Sequence, residues 1–410
     1  MLRKVTISNY RSCAHTSLDL STNLSVLIGT NGSGKTNILN AIMLLKPVLE
    51  APHQRSDRSG LVDSTLDVEF DTDGFMATLH AEVSTITNES NADIFQSVKE
   101  HWHTKAPDGT TADIPFSLLI AIQDSFHDQL VAYFSRGAVG DQPTPEKLTK
   151  TITPDLKVQL KNIARFCRGM KYYGASQFTN PGACRVAFEI GEDGQRTTFR
   201  ARQEGHTRIL FDMYQASRDP ENSRYQQFLD IVGPHGLKLI DSLSFKRVLT
   251  SSSDTLVRLG GDIEKRKNKR YLVVPTVTIG KRHLSPNQLS EGTFKTLVLL
   301  FHIMTTESTA LLIEEPEVCI HHGLLSSVLE LIKIHSREKI IILTTHSDFV
   351  LDQVEPENVH HVTFSRKKGT QVRHIPNSMS GQEYDALRKY LRTQGSLGEY
   401  WRAGALTETP

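Results

Sequence analysis

This chain lacks several features that would narrow its class at once. Its four cysteines, Cys13, Cys167, Cys184 and Cys319, lie far apart and form no CxxC pair. That excludes a zinc ribbon and argues for a reduced protein without a disulfide framework. There is no charge excess, because 47 basic residues face 46 acidic ones. No global polycation therefore points to nucleic acid, although a balanced total can hide a local basic patch. The longest apolar stretch, around Thr296 to Met304, is far shorter than the ~20 residues of a membrane span. The opening "MLRKVTISNYRS" has a basic beginning but no apolar segment of the secretory kind. No repeat or low-complexity tract stands out. The expectation is a cytoplasmic protein with no membrane association, long enough at 410 residues to bury a real core.

What is present reads as mixed α/β. The N-terminus alternates as strands do, and "NLSVLIGT" (23–30) runs through a glycine-rich turn into the helical pattern "KTNILNAIMLLKPVL". After the loop-like "HQRSDRSGLVDS", "TLDVEF" and "FMATLHAEV" read as paired strands around "DTDG". From about Asn91 to Arg168, "IFQSVKEHWH", "FSLLIAIQDSFHDQLVAYF" and "EKLTKTITPDLKVQLKNIARF" have helical spacing. Strand signals return at "MKYYGASQF" and in a hairpin tipped by "EDGQ" (192–195), before a second helical block. Near the C-terminus, short all-apolar runs alternate with helical patterns, as central parallel strands covered on both faces do. The expected organisation is an N-terminal lobe over 1–90, a helical insertion over 91–170 and a strand segment over 171–206. A second helical insertion over 207–254 and a C-terminal lobe over 255–410 complete it.

"GTNGSGKT", Gly29 to Thr36, matches G-x-x-x-x-G-K-[ST] between a predicted strand and a predicted helix. Gly29, Gly32 and Gly34 let the backbone of Thr30, Asn31 and Ser33 wrap close to phosphate oxygens. The helix N-terminus adds partial positive charge at the same spot. Lys35 would reach the β- and γ-phosphates of ATP, and the Thr36 hydroxyl would ligate Mg²⁺.

Four further signals specify the site. "LLIEEPEVCIHH" (311–322) invites a transition-metal reading, with three glutamates, a cysteine and two histidines. With a phosphate loop elsewhere, its apolar run becomes a strand that ends in two carboxylates. Glu314 would hold Mg²⁺, and Glu315 would polarise the attacking water. "LSEGT" (289–293) places Ser290 and Gly292 at a helix start, a second anion-binding terminus. "TTHS" (344–347) ends the next apolar strand and brings His346 to the same end of a parallel sheet. "SQF" puts Gln177 after a strand, as a candidate sensor of metal and γ-phosphate.

These residues carry a family resemblance. "ISNYRSC", "LDLSTNLSVLIGTNGSGKTNILNAI", "LSEGT", "EEPEVCIHH" and "TTHSDFVLD" together resemble the ABC-type ATPase heads of the branch that holds RecF, SMC proteins and the OLD-family ATPases. The resemblance covers about residues 1–84 and 284–410, plus Gln177. It implies a P-loop NTPase fold and a head-to-tail dimer. In that dimer Ser290 and Gly292 touch the γ-phosphate bound by the partner subunit. Glu314 stands where most of the branch has aspartate, a replacement that OLD-like members share, and Ile320–His321–His322 stands where they usually have Leu-His-Pro. Only 64 residues follow His346, too few for the nuclease domain of OLD proteins.

The resemblance therefore implies an ATPase that acts through a separate effector, a nuclease or toxin, as in anti-phage defence systems. The alternatives are a RecF-like repair or DNA-clamping ATPase, and a nucleotide-bound scaffold with negligible turnover. Three smaller features stay open. "EKRKNKR" (264–270) fits DNA phosphates, an acidic partner or a solvated hairpin tip. His101 and His103 fit a metal or an ordinary surface. Arg11 fits a nucleotide contact or an ordinary strand end.

Overall fold

A computed structural model describes residues 2–46, 64–87, 93–115, 118–122, 152–191, 205–219, 221–257, 263–305, 308–318, 320–393 and 395–404. In chain order the elements begin with β1 (Leu2–Tyr10), β2 (Cys13–Asp19), β3 (Leu24–Ile28) and α1 (Lys35–Met43). They continue with β4 (Ser64–Thr72), β5 (Phe75–Thr87), β6 (Asp93–Lys105), β7 (Thr111–Ile114), α2 (Pro154–Arg168) and β8 (Lys171–Gly174). Next come β9 (Phe188–Ile190), α3 (His206–Ser217), α4 (Ser223–Val232), β10 (Ser242–Val257), β11 (Ile263–Ile279), β12 (Arg282–Leu284) and α5 (Glu291–Met304). Then come β13 (Ala310–Glu314), α6 (His322–His335), β14 (Ile340–Thr345), β15 (Val359–Ser365), β16 (Gly369–His374) and α7 (Gly381–Thr393), and a short helix over Leu397–Arg402 follows.

Two compact units result. The first takes Met1–Tyr172, Ser308–Glu315 and Ser336–Pro410, and the second takes Tyr173–Glu307 and Pro316–His335. In the first unit an antiparallel sheet runs β2-β1-β4-β5-β6-β7. The site-bearing sheet has the order β16-β15-β3-β14-β13-β8, and the chain leaves the first unit within β8. At the centre of that sheet β3, β14 and β13 are parallel, in the registers Thr344↔Leu27 and Ile313↔Leu343. All five residues of β3 and all six of β14 are buried, which explains their unbroken apolar runs. Because the three strands are parallel, the ends of β3, β13 and β14 and the loops after them share one edge, as α/β sites require.

In the second unit, β10-β11-β12 form a sheet with β9 paired to β11 at Tyr271–Val273. Phe188 packs edge-on against Phe211 and Tyr214, and Phe228 of α4 against Phe301 of α5, so aromatic rings tie the helices together.

Three expectations change. Residues 91–170 are not all helical, since β6 and β7 extend the first sheet and only α2 and the short Leu118–Ala121 helix appear among the described residues. Within 207–254 two helices give way to strand β10 at Ser242. The run Glu264–Arg270 is strand rather than hairpin tip, because pairing continues from Thr250↔Arg270 to Val257↔Ile263. The expected "EDGQ" hairpin tip, most of the "HQRSDRSGLVDS" loop and Cys319 lie outside the described residues.

Candidate ATP site

The phosphate loop follows from local chemistry. Chain leaving β3 turns through Gly32 at φ 81° and Gly34 at φ 103°, values that L-residues rarely adopt. Gly29 is required for a different reason: a Cβ there would lie 2.2 Å from the Val362 carbonyl oxygen. The loop is pinned by Ser33 N–H donating to Thr30 O (3.1 Å), and α1 starts with Ile38 N–H donating to Gly34 O (3.0 Å). Lys35 is buried and folds back so that its Nζ donates to Gly29 O (2.8 Å) and Thr30 O (3.2 Å). Thr30, Asn31, Gly32 and Thr36 are exposed.

A partly buried chain of polar side chains braces the loop from behind. Asn37 Nδ2 donates to Ser12 Oγ (2.7 Å), the Ser12 and Thr370 hydroxyl oxygens are 2.8 Å apart, and Thr370 Oγ1 lies 3.0 Å from Ser33 O. Thr370 Oγ1 is the donor toward both Ser12 Oγ and Ser33 O, so its single proton is shared between two acceptors. A Cβ on Gly34 would fall 2.0 Å from Thr370 Oγ1, so the brace and the glycine specify each other.

Two strands away, beyond β14, β13 brings Glu314 to the same edge. Its carboxylate accepts from the Thr36 hydroxyl at Oε1 and from the Tyr172 hydroxyl at Oε2, the latter at 2.7 Å. Burial, and then the Glu314 charge, push the Tyr172 phenol well above its ordinary value, so Tyr172 remains a donor. The next residue, Glu315, has φ 45°. Its N–H donates to Thr344 O (3.0 Å), which extends the β13–β14 ladder by one residue before the chain turns at Pro316. Glu315 Oε1 then sits 3.4 Å from Nδ1 of His346, both side chains being partly open to solvent. A non-glycine residue held left-handed costs about 1–2 kcal/mol and is characteristic of functional sites.

Gly29–Thr36, Glu314, Glu315 and His346 therefore converge in the first unit. Ser290, Gly292 and Gln177 belong to the second. Ser290 is the exposed N-cap of α5, its Oγ accepting from Thr293 N–H (3.2 Å), with Gly292 in the first turn. Gln177 lies in the 3₁₀ turn Ala175–Phe178 after β8, and its side chain is outside the described residues. Sequence reasoning missed Tyr172, Ser12, Asn37 and Thr370. The tyrosine was visible only as one of two in "MKYYG", and the others are separated by up to 358 residues.

A hydroxyl and a carboxylate make a hard-oxygen donor pair of the kind Mg²⁺ takes together with nucleotide phosphates, so the residues present fit that ion. The transition-metal reading of residues 311–322 does not match the geometry. Glu314 and Glu315 are engaged with Thr36, Tyr172 and His346, and His321 Nδ1 accepts from Gly323 N–H at 3.3 Å. His103 and His101 both approach Asp113 Oδ1, at 2.8 and 3.8 Å, on the exposed face of β6. Arg11 has φ 51° in the β1–β2 turn and lies 5.5 Å from the Tyr10 ring centroid.

Residues 1–351 match the family model described as an AAA ATPase domain. A 62-residue stretch is 40% identical to the DNA replication and repair protein RecF of Mesorhizobium japonicum, covering 14% of this chain and 16% of that protein. Among solved structures, an Smc head bound to the C-terminal winged-helix domain of ScpA aligns over 92% of this chain and 99% of its own, at 13% identity and TM-score 0.44. The SMC head domain from Thermotoga maritima aligns over 91% and 98%, at 13% identity and TM-score 0.37. No helix among the described residues is long and apolar enough to cross a membrane.

Proposed function

Because this chain belongs to the AAA ATPase domain family, we propose that it is a Mg²⁺-dependent ATP hydrolase whose copies close head to tail over ATP and thereby control a separate effector protein. The observation that carries the hydrolase reading is the edge shared by the Gly29–Thr36 loop, Glu314, Glu315 and His346. Lys35 and the α1 N-terminus bind and orient the phosphates. Thr36 and Glu314 hold the cation, which supplies charge neutralisation at the phosphates when bound. Glu315 accepts a proton from the attacking water, and His346, beside its Oε1, orients the carboxylate.

Head-to-tail closure rests on the exposed N-cap Ser290 and on Gly292, which would meet the phosphates held by a partner subunit. The loop 317–322 would face that partner. Control of a nuclease or toxin in an anti-phage system is the finer reading, and it rests on the resemblance to OLD-like ATPases. A pull-down from the native host that returns no nuclease or toxin would remove it.

For the ATP-driven dimer, Glu315→Gln with ATP should double the mass seen by light scattering, and Lys35→Ala should stay at the nucleotide-free mass. Lys35→Ala and Ser290→Arg subunits, each inactive alone, should regain hydrolysis when mixed; no recovery would sink the shared site. A second reading, contact with nucleic acid, is favoured by one observation. Between Lys246 and Arg270 the β10–β11 hairpin carries eight basic and three acidic residues in a chain that is otherwise balanced. Salt-sensitive DNA binding and DNA-stimulated turnover would support it.

A further inference from the structure

Glutamate at position 314 raises a geometric problem that Tyr172 answers. A carboxylate at a strand end must present one oxygen to a cation at a defined place. Glutamate has one more methylene than aspartate, which lengthens its reach by about 1.5 Å and adds a rotatable bond. Left free, that carboxylate would sweep several rotamers, and fixing it on cation binding would cost entropy. Here it is not free. Tyr172 Oη donates to Oε2 at 2.7 Å, while the Thr36 hydroxyl donates to Oε1.

The two donors divide the carboxylate. Oε1 faces the P-loop helix through Thr36, the residue that would share the cation. Oε2 is occupied on the other side by a rigid aromatic side chain from β8. Tyr172 itself is well held. It follows α2 and Met170, which is fully buried, and it packs against the main hydrophobic core. A tether with only two side-chain torsions and a partly buried ring loses little freedom by making this bond.

We infer that Tyr172 is a positioning residue for the divalent cation: its hydroxyl holds Oε2 of Glu314 so that Oε1 alone is offered, directly or through water, to a cation bound beside Thr36. This rests on the Mg²⁺–ATP reading of the site and adds to it the residue that selects which carboxylate oxygen is used. Tyr172 touches neither nucleotide nor cation. It acts through Glu314.

The test is a Mg²⁺ titration of the binding of a fluorescent ATP analogue to the full chain, wild type against Tyr172→Phe, with binding in EDTA and melting temperature measured in parallel. Loss of a charge-assisted hydrogen bond should raise the Mg²⁺ concentration at half-maximal binding by roughly tenfold. Binding in EDTA should stay within experimental scatter, and the melting temperature should fall by no more than the few degrees that one such bond contributes. The same substitution made on Glu314→Asp, whose shorter side chain does not reach the tyrosine, should move the midpoint by less than twofold. An unmoved midpoint in Tyr172→Phe overturns the inference, as does an equal loss of binding in EDTA, which would mark a structural role. Equal shifts in the wild-type and Glu314→Asp backgrounds overturn it too. If wild type itself shows no Mg²⁺-dependent ATP binding, the reading of the whole site fails and the inference goes with it.

Discussion

Replacing Glu315 separates the chemistry of the site from the strain stored in its backbone. Glutamine keeps the size and hydrogen-bonding reach of the side chain but is not a proton acceptor. Removing a general base lowers turnover by about 10²–10⁴-fold, or roughly 3–5 kcal/mol of barrier. ATP affinity should hold, because the loop, Lys35 and Glu314 are untouched. Glycine acts on a second axis. At φ 45° a non-glycine residue carries about 1–2 kcal/mol of strain. Glycine removes that but adds about 0.5–1 kcal/mol of chain entropy to the unfolded state. The contact with His346, partly solvent-exposed on both sides at 3.4 Å, is worth well under 1 kcal/mol. Glu315→Gly should therefore be as stable as wild type or slightly more so, although it loses hydrolysis as Glu315→Gln does. Steady-state phosphate release and urea unfolding read the two axes. Turnover of Glu315→Gln within threefold of wild type would refute the base assignment, and a loss of more than 1 kcal/mol in Glu315→Gly would refute the strain argument.

Three other perturbations follow from the same geometry. Gly29→Ala places a methyl 2.2 Å from a backbone oxygen of β15, so it should cost about 1–3 kcal/mol or more in thermal unfolding and weaken ATP binding. Thr370→Val keeps the shape but removes the donor to Ser33 O and to Ser12 Oγ, which retains only its bond from Asn37; about 1–3 kcal/mol should be lost, with looser ATP binding in calorimetry. His360 is buried, and burial, then the His374 ring stacked on it at 4.6 Å, lowers its pKa to about 3. Between the unfolded value near 6.5 and about 3, the unfolded chain binds a proton that the folded chain does not. Stability should thus fall as pH drops through that window, by up to about 1.4 kcal/mol per unit, and His360→Phe should flatten the slope measured by denaturant midpoints.

How much was legible depended on whether a residue's reason was local. The phosphate loop and the strand ending in two carboxylates were readable because each motif lies within about ten residues. β6 was not. Its apolar residues Ile94, Phe95, Val98 and Trp102 fit a helical period, yet Val98, Glu100, Trp102 and Thr104 alternate onto the inner face of a strand. Glu100 hid that alternation. It is buried because it accepts from Trp102 Nε1 (2.8 Å) and Leu118 N–H (3.0 Å), partners that a one-dimensional pattern does not reveal. The basic run at 264–270 stayed open for a similar reason, since a charged segment looks like a turn until its register with 250–256 is known.

The same distinction explains why the site depends on residues far beyond its motifs. The family match ends at 351, but the loop at 29–34 is shaped by β15 and β16, which come later. Val362 O occupies the space a side chain at 29 would need, and Thr370 fills the space beside Gly34. Thr370 N–H donates to Ser12 O (2.8 Å), and Thr16 Oγ1 donates to Thr370 O (2.7 Å), so the strand that backs the loop is itself held to the N-terminal hairpin. Gly369, at φ 69°, would bring a Cβ within 2.5 Å of Ser12 O, so that junction too is specified by a glycine. A glycine-rich loop fixes its conformation only weakly by itself, because glycine's freedom must be removed by something else. Here the removal is done by a hairpin more than 300 residues away in sequence. The motif states which atoms meet phosphate, and β15 and β16 hold those atoms still.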